Sequence, residues 1–384
     1  MGKTTNALER VHQLWRDGND FTLALNDVRE FHQKIADELT IDSDQWRYYF
    51  TELERTLMQS FSGSFDETYD RVVCFGELLS SSILLSYLAK KAHAVQWLDA
   101  RRIIRTDSRH RDARVDFAAC ELSDLQEWEG GNSIAVTQGF IGANEHGHTT
   151  TLGREGSDYS ASILAFLTRA REVVIWKDVP GMMNADPRWF PEAQKVARIS
   201  FHEAVELAYY GASVIHPKTI KPLQNLGIPL YIKSFENPSD EGTIINGEKD
   251  SDHPLHHLIL KTSQALVSIS PTDFSFIVED NLRDIFDALS YSGIRARLME
   301  NSAISFSFVT DDDERKMDAL KKLLEGKFVM RFNRPVTLLT IRHWTAAIVE
   351  RYTSSREIFL EQRNRTSLRL VMRATPAEWV PQKS

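Results

Sequence analysis

Cysteine is scarce in this chain, with two residues, Cys74 and Cys120, among 384. So few cysteines argue against a disulfide framework and favour a reducing compartment, for which the cytoplasm is the default expectation. The sequence contains neither a CxxC nor an HExxH pattern, so no zinc site is predicted. We also expect no apolar stretch long enough to span a membrane and no signal peptide before the first helix.

An excess of positive charge is also lacking, because 46 Lys and Arg residues face 54 Asp and Glu residues and give a net charge of -8. This balance argues against nucleic acid or an anionic membrane as a partner. Hydrophobic content of 42% and charged content of 26% are typical of a globular protein. A length of 384 residues predicts two or three domains.

A glycine-rich stretch, residues 149–160 (TTTLGREGSDYS), lies between a strand-like run and a helix-like run. Gly153 and Gly156 flank Arg154, and Asp158 stands where the helix is predicted to begin. Backbone N–H groups at such a turn favour anions, and a guanidinium binds carboxylate or phosphate. The carboxylate of Asp158 suits a magnesium ion or a substrate amine. An ordinary glycine-rich turn with a helix cap has the same short pattern and stays an alternative.

The periodicity of apolar residues predicts a helical, highly charged segment over residues 6–61. Residues 71–75 are predicted to form a short extended piece, followed by a helix through residues 82–88. Strand-like and helix-like runs then alternate up to residue 233. This alternation predicts an α/β fold, a three-layer sandwich with a mainly parallel sheet and helices on both faces. Chemically active side chains follow the strand ends, where such sheets bind ligands.

A polar, turn-rich stretch over residues 236–262 predicts a domain boundary. Beyond it, the order strand-helix-strand-strand-helix-strand is typical of small ferredoxin-like units. One such unit and most of a second are predicted. They carry few candidate catalytic groups, which favours a regulatory or dimerising module.

Four motifs follow one another along the chain: residues 73–77 (VCFGE), 149–158 (TTTLGREGSD), 176–188 (WKDVPGMMNADPR) and 210–218 (YGASVIHPK). Together with Thr5-Asn6, these motifs resemble those of one family, the aspartate kinases of the amino-acid kinase fold. The C-terminal repeats resemble the family's paired ACT domains. The resemblance implies an amino-acid kinase catalytic domain over residues 1–245, an ACT-like domain over 262–330 and a partial second one over 331–384.

The resemblance implies ATP-dependent, Mg2+-assisted phosphorylation of the side-chain carboxylate of L-aspartate to 4-phospho-L-aspartate, the first step of lysine, threonine and methionine biosynthesis. Arg154 would then hold a substrate carboxylate and Glu77 would accept from the substrate ammonium. Ser157 and Thr5 would contact substrate, and Asp158 would position the ammonium or magnesium. For Glu77, the alternative is an acid that stabilises a helix N-terminus.

On the nucleotide side, the resemblance implies that Lys177 and Asp178 flank the nucleotide. Asp186 and Arg188 would contact its ribose and phosphates, although a simple turn at Asp186-Pro187 is the alternative. Ser213 stands where the family has the lysine of its GAK segment.

The family also begins with a KFGGTS segment whose lysine reaches the transferred phosphoryl group, and the sequence lacks it. Loss of a group that stabilises the transition state costs on the order of 10²–10³ in rate. We therefore expect the chain as written to be poorly active. Aspartate-dependent ADP release at a rate typical of an intact kinase would contradict this expectation.

The ACT-like units imply a homodimer and possible feedback by lysine or threonine. Candidate effector residues lie near the first unit's strand-helix turn and second strand: Asp273, Phe274, Met299, Asn301 and Ser302. Turn formation and packing are the alternative roles. In the second unit, Arg342-His-Trp344 stands where the family has a glycine-rich turn.

Two other functions stay open on sequence alone. One is a non-catalytic homologue that binds amino acids through its ACT-like units and regulates a partner. The other is a kinase of glutamate or acetylglutamate, against which the paired C-terminal units and the Gly-Arg-Glu-Gly-Ser-Asp turn argue. A coding stretch for Lys-Phe-Gly-Gly upstream of Met1 would favour an active kinase over the regulatory homologue.

Overall fold

The computed structural model places most of the chain in two compact units. It describes residues 2–42, 44–60, 62–120, 123, 125, 133–212, 214–248, 255–273, 275–354, 356–373 and 379. Unit 1 comprises Met1–Ile175 and Ile215–Tyr231, and unit 2 comprises Trp176–Val214 and Ile232–Ser384.

Unit 1 opens with four helices whose apolar faces form its core. They are α1 (Thr4–Arg16), α2 (Thr22–Glu38), α3 (Asp44–Met58) and α4 (Phe65–Lys90). Helix α1 buries Leu8, Val11 and Trp15, which recur at helical spacing. Helix α4 begins after Ser64, whose side chain accepts a hydrogen bond from the backbone of Glu67 (3.1 Å) and so caps the helix.

Helix α4 corrects two expectations. Residues 71–75 are not extended but lie inside this helix, because burial of Val72 and Val73 outweighs their preference for strands. A Cβ added at Gly76 would lie 3.2 Å from Cγ2 of Thr4, so glycine here lets α1 approach closely.

Helix α4 is also long and apolar enough to cross a membrane, contrary to expectation, but 56% of its most apolar window is buried. A buried core helix passes the same test, so this is weak evidence for a membrane span.

The middle of the chain alternates between strands and helices, as the sequence predicts. In order, the elements are β1 (Val95–Leu98), α5 (Ala100–Ile103), β2 (Ile134–Thr137), β3 (Ile141–Ala143), β4 (Thr149–Thr151), α6 (Gly156–Thr168), β5 (Val173–Lys177), β6 (Arg198–Ser200), α7 (Phe201–Tyr210), α8 (Pro217–Leu226), β7 (Leu230–Ser234) and β8 (Thr243–Asn246). The pairs β1–β2 and β6–β8 are parallel, whereas β3–β4 is antiparallel. A four-stranded sheet has the order β5-β7-β8-β6.

The rest of unit 2 contains the predicted strand-helix-strand-strand-helix-strand order. Its elements are β9 (His257–Pro271), α9 (Glu279–Tyr291), β10 (Leu298–Asn301), β11 (Phe306–Asp311), α10 (Glu314–Leu324), β12 (Phe328–Arg342), α11 (Ala346–Thr353), β13 (Ile358–Arg363) and β14 (Ser367–Met372). They form one six-stranded sheet in the order β10-β11-β9-β12-β14-β13. Strands β9 and β12 are each 15 residues long and pair with each other at the centre of the sheet. The two predicted ACT-like domains therefore share one continuous sheet, while their boundaries stay a prediction.

A buried ion pair joins strand β12 to helix α7 within unit 2. Arg342 and Glu203 are each 3% exposed. Nε of Arg342 donates to Oε1 of Glu203 (3.0 Å), and Nη2 donates to Oε2. Nη1 of Arg342 also donates to Ser367 (2.7 Å), and Nε2 of His343 lies 3.1 Å from Oε1 of Glu203. Burial alone would raise the pKa of Glu203, but hydrogen bonds from His343 and Arg342 outweigh it and lower this pKa to about 2.

Replacing Arg342 with Met should destabilise unit 2 by about 3–5 kcal/mol, because a buried carboxylate loses its main partner. Urea unfolding measures this loss. Arg283→Met, which breaks the exposed pair with Asp280, is the control and should cost about 0–1 kcal/mol. Equal losses in the two variants would contradict the assignment of Arg342 as a buried structural residue.

The pair also predicts a dependence of stability on pH. Because the folded pKa of Glu203 is below its usual 4.5, its contribution is present above that pH and is lost as pH falls towards 2. Unfolding of Glu203→Gln should therefore vary less between pH 5 and 3 than unfolding of the unmodified protein. Parallel pH profiles would show that Glu203 is not the group responsible.

Candidate active site

The glycine-rich stretch forms a tight turn between β4 and α6 in unit 1. Gly153 has a φ of +75°, and a Cβ there would lie 2.5 Å from Oδ1 of Asp112. A Cβ at Gly156 would lie 2.6 Å from the ring of Phe140. Glycine is therefore favoured at Gly153 by its positive φ and at Gly156 by the close approach of Phe140. Helix α6 begins at Gly156, two residues earlier than predicted.

The turn presents the predicted substrate-binding side chains. Arg154 and Ser157 are exposed, and Asp158 is half-buried in the first turn of α6. The start of α6 packs against Gly139, since a Cβ there would lie 2.9 Å from Cα of Ser157. The turn thus combines an exposed guanidinium, a hydroxyl and a helix N-terminus, and each of these groups favours the binding of an anion.

Glu77 and Thr5 lie on neighbouring helices, α4 and α1, which touch at Gly76. Glu77 is half-buried in the middle of α4, so the alternative of a helix N-terminal acid is wrong. Burial raises the pKa of its carboxyl group. The backbone carbonyl of Glu77 accepts a hydrogen bond from Oγ of Ser81 (2.5 Å). The same hydroxyl accepts a hydrogen bond from Nε2 of Gln138 (3.4 Å), the residue before Gly139. These hydrogen bonds link the backbone of α4 at Glu77 to Gln138, whose neighbour Gly139 packs against the start of α6.

Sequence reasoning missed Asp70, whose carboxylate binds the end of the strand that leads into the turn. This residue of α4 has 0% exposure. Its carboxylate accepts from the backbone N–H (3.0 Å) and hydroxyl (2.6 Å) of Thr151, from the N–H of Arg111 (3.1 Å), and lies 3.0 Å from Nδ1 of His110. Burial raises the pKa of Asp70, although these hydrogen bonds act in the opposite direction. Asp70 lies seven residues before Glu77 on the same helix, but its partners are distant in the sequence, so no local pattern indicates its role.

His216 caps the N-terminus of helix α8. Its Nδ1 accepts from the backbone N–H of Lys218 (3.2 Å), and Pro217 follows at the first helical position. Burial lowers the pKa of His216, and the positive charges of Lys218 and Arg154 act in the same direction, while Glu155 opposes them.

In unit 2, Asp186 and Arg188 line a pocket of about 400 Å³ together with the end of α7 and the start of β9. Nε of Arg188 donates to both carboxylate oxygens of Asp186 (3.1 Å each), and Nη2 donates to one of them (2.6 Å). The hydrogen bond from Arg188 lowers the pKa of Asp186. The N–H of Arg188 also donates to Asp186 (2.9 Å), so the turn alternative remains open beside ligand binding.

Of the other predicted nucleotide residues, two are described by the structure. Lys177 ends β5, and exposed Asp178 follows it, but neither lines the pocket, whereas Val179 and Gly181 do. Ser213 lies outside the described residues.

The predicted effector residues that the structure describes lie at one end of the six-stranded sheet. Asp273 follows β9, and its carboxylate accepts from the N–H of Ser275 (3.0 Å). Asn301 ends β10, and Ser302 follows it with its hydroxyl 2.8 Å from that of Ser305, while Met299 is 39% exposed. Phe274 lies outside the described residues.

Comparison with known proteins shows which family this fold and turn belong to. A family model described as the amino acid kinase family matches residues 2–234. Lysine-sensitive aspartokinase 3 of Escherichia coli is 35% identical over 244 residues, 63% of this chain and 54% of that protein. The aspartokinase of Chlamydia trachomatis is 31% identical over 326 residues, 82% of this chain and 72% of that protein.

A solved structure extends the similarity to almost the whole chain. The crystal structure of E. coli aspartokinase III in complex with aspartate and ADP matches with a TM-score of 0.78 and 26% identity, covering 99% of this chain and 89% of that chain. The chain therefore belongs to the amino acid kinase family and, within it, to the aspartokinases. The match also confirms the predicted fold class. The chain spans about half the length, 54%, of the E. coli relative in sequence.

Replacing Asp70 with Asn should destabilise unit 1 by about 1–3 kcal/mol, because the amide NH2 would face donors and leave one of them unpaired. Urea unfolding measures the change. Asp66→Asn, on the exposed start of the same helix, is the control; it weakens only an exposed pair with Arg111 and should cost about 0–1 kcal/mol. Asp70→Asn with unchanged stability would show that the carboxylate does not hold the turn.

Proposed function

We propose that the protein is an aspartate kinase, which transfers the γ-phosphoryl group of ATP to the side-chain carboxylate of L-aspartate. The observation that carries this proposal is the turn at Gly153–Asp158, which presents Arg154 and Ser157 beside a helix N-terminus. Support comes from a family relative whose crystal structure contains aspartate and ADP.

On the substrate side, the planar guanidinium of Arg154 would hold a carboxylate of aspartate through two hydrogen bonds. Glu77 would face the ammonium group, with Asp158, Ser157 and Thr5 completing the substrate contacts. The acceptor carboxylate is already ionised, so the reaction needs no general base. Catalysis then depends on positioning and on neutralisation of phosphate charge.

On the nucleotide side, Asp186 and Arg188 would contact ATP at the pocket of unit 2, with Lys177, Asp178 and Ser213 nearby in sequence. Mg2+ commonly binds through one or two carboxylates plus substrate phosphates. The described residues form no cluster of three or more metal-ligating side chains, so single carboxylates such as Asp158 or Asp178 fit that mode better than a protein cage. Bound magnesium would neutralise charge on the phosphates.

The six-stranded sheet of unit 2 would serve as the regulatory and dimerising part. A relative, E. coli aspartokinase III, has been crystallised with lysine and aspartate. Lysine or threonine would bind near Asp273, Phe274, Met299, Asn301 and Ser302. The proposed domains are the catalytic one over residues 1–245 and ACT-like ones over residues 262–330 and 331–384.

Replacing Arg154 with Gln should weaken L-aspartate binding by about tenfold or more, because a charge-assisted bidentate pair is lost. Arg154→Lys should recover little of the affinity, since an ammonium does not reproduce the fork geometry. Calorimetric titration with L-aspartate measures both. Arg171→Gln, at an exposed position of the same unit, is the control. Unchanged affinity in Arg154→Gln would exclude this turn as the aspartate site.

The raised pKa of Glu77 predicts how activity depends on pH. Only the ionised carboxylate attracts an ammonium, so the KM for aspartate should rise as pH falls towards that pKa. Glu77→Gln should have a higher KM for aspartate without this rise, and an unchanged KM for ATP. Aspartate-dependent ADP release at several pH values measures the two constants. A Glu77→Gln enzyme with the original pH profile would assign the effect to another group.

A further inference from the structure

Besides the pocket of Asp186 and Arg188 in unit 2, a second pocket, of about 560 Å³, lies in unit 1. It is formed by helices α6 and α8 and residues 112–117. None of the proposed aspartate-binding side chains lines it. Its volume lies in the range of pockets that hold small organic molecules. The pocket is therefore large enough for a ligand of its own.

Positive charge dominates the rim of this pocket. Arg114, Lys218 and Lys221 line it together with one acid, Asp112. Nζ of Lys218 is paired with the carboxylate of Asp112. Within the described part of the chain, no acidic side chain lies within ion-pair distance of Arg114 or Lys221. Two cations are thus available to an anion in a chain whose net charge is -8.

The walls of the pocket are aromatic and apolar. Phe117, Tyr159 and Phe166 line it and are each half-buried, so part of each ring faces the pocket. The rings of Phe117 and Phe166 pack edge to face with their centroids 5.1 Å apart. Pro222 of α8 adds a further apolar contact surface. Such walls favour a flat apolar group over a hydrated inorganic ion.

We propose that this pocket binds a small organic anion with an aromatic body. The aromatic body would pack against Phe117, Tyr159 and Phe166, and the anionic group would meet Arg114 and Lys221. Aryl phosphates and aromatic carboxylates share this chemistry.

The position of Asp112 connects the pocket with the turn at Gly153. Asp112 pairs with Lys218, and its Oδ1 lies against Gly153, where an added Cβ would be 2.5 Å away. An anion in the pocket would compete with Asp112 for Lys218. Binding would therefore act on a carboxylate that contacts the residue before Arg154.

Calorimetric titration of the full chain tests this proposal with phenyl phosphate, benzoate and inorganic phosphate as probes. One of the two aromatic anions should bind at one site per chain and about tenfold or more tighter than inorganic phosphate, because only it uses the aromatic walls. Whichever probe binds tighter shows whether the anionic group of the ligand is a phosphate ester or a carboxylate. No saturable binding of either aromatic anion would overturn the proposal.

Variants locate the site. Arg114→Gln and Lys221→Gln should each weaken binding of the tighter probe by about tenfold. Phe166→Leu should weaken it less, since apolar volume is retained while the ring is lost. Lys322→Gln, at an exposed position on α10, is the matched charge control. Unchanged affinity in both Arg114→Gln and Lys221→Gln would overturn the assignment.

Arg154→Gln separates this proposal from that of the aspartate site. Binding of the aromatic anion should be unchanged in this variant, whereas binding of L-aspartate should weaken. Loss of both would show that the aromatic anion occupies the aspartate site instead. Loss of neither would leave the second pocket supported and contradict the aspartate site alone.

Discussion

The carboxylate of Asp70 is the constraint on which the geometry of unit 1 depends. It is fully buried, so its hydration has to be replaced by protein donors. Those donors come from Thr151 and from the segment at His110-Arg111, which are distant in sequence from α4. Both donor segments border Gly153, where the backbone of Arg111 and the side chain of Asp112 leave no room for a Cβ. One buried acid on a core helix therefore fixes the strand that leads into the turn.

Unit 2 uses a buried carboxylate in a related way. Glu203 on α7 is held by Arg342 and His343 at the end of β12, and its pKa is lowered to about 2. Leu207 of the same helix and Gly211, which follows its last residue, line the pocket of Asp186 and Arg188. Arg342 and His343, which stand at the predicted position of a glycine-rich turn, thus bind the helix beside the candidate nucleotide pocket. Arg342 pairs with Glu203 and also with Glu206, so the end of β12 is tied to this helix at more than one point.

The parts of this structure that are encoded locally could be predicted from sequence. The turn at Gly153–Asp158 was recognisable because its glycines and its Arg are adjacent, and the helices and strands follow apolar periodicity. The course of α4 could not be predicted, because Val72, Val73 and Gly76 favour an extended piece and a turn until burial is known. Asp70 was missed because its partners lie 40 to 81 residues away. The pairing of Arg342 with Glu203 joins residues 139 positions apart and leaves no local signal.

Two acids on α4, seven residues apart, then have different roles for a physical reason. Asp70 receives hydrogen bonds from several protein groups, so its charge is compensated without any ligand. Among the described residues, no group donates a hydrogen bond to the carboxylate of Glu77, and burial raises its pKa. A half-buried acid of this kind gains most when a cation arrives from outside, because that cation supplies the compensation that the protein does not. Asp70 therefore holds the turn in place, and the carboxylate of Glu77 suits the proposed contact with the ammonium group of a substrate.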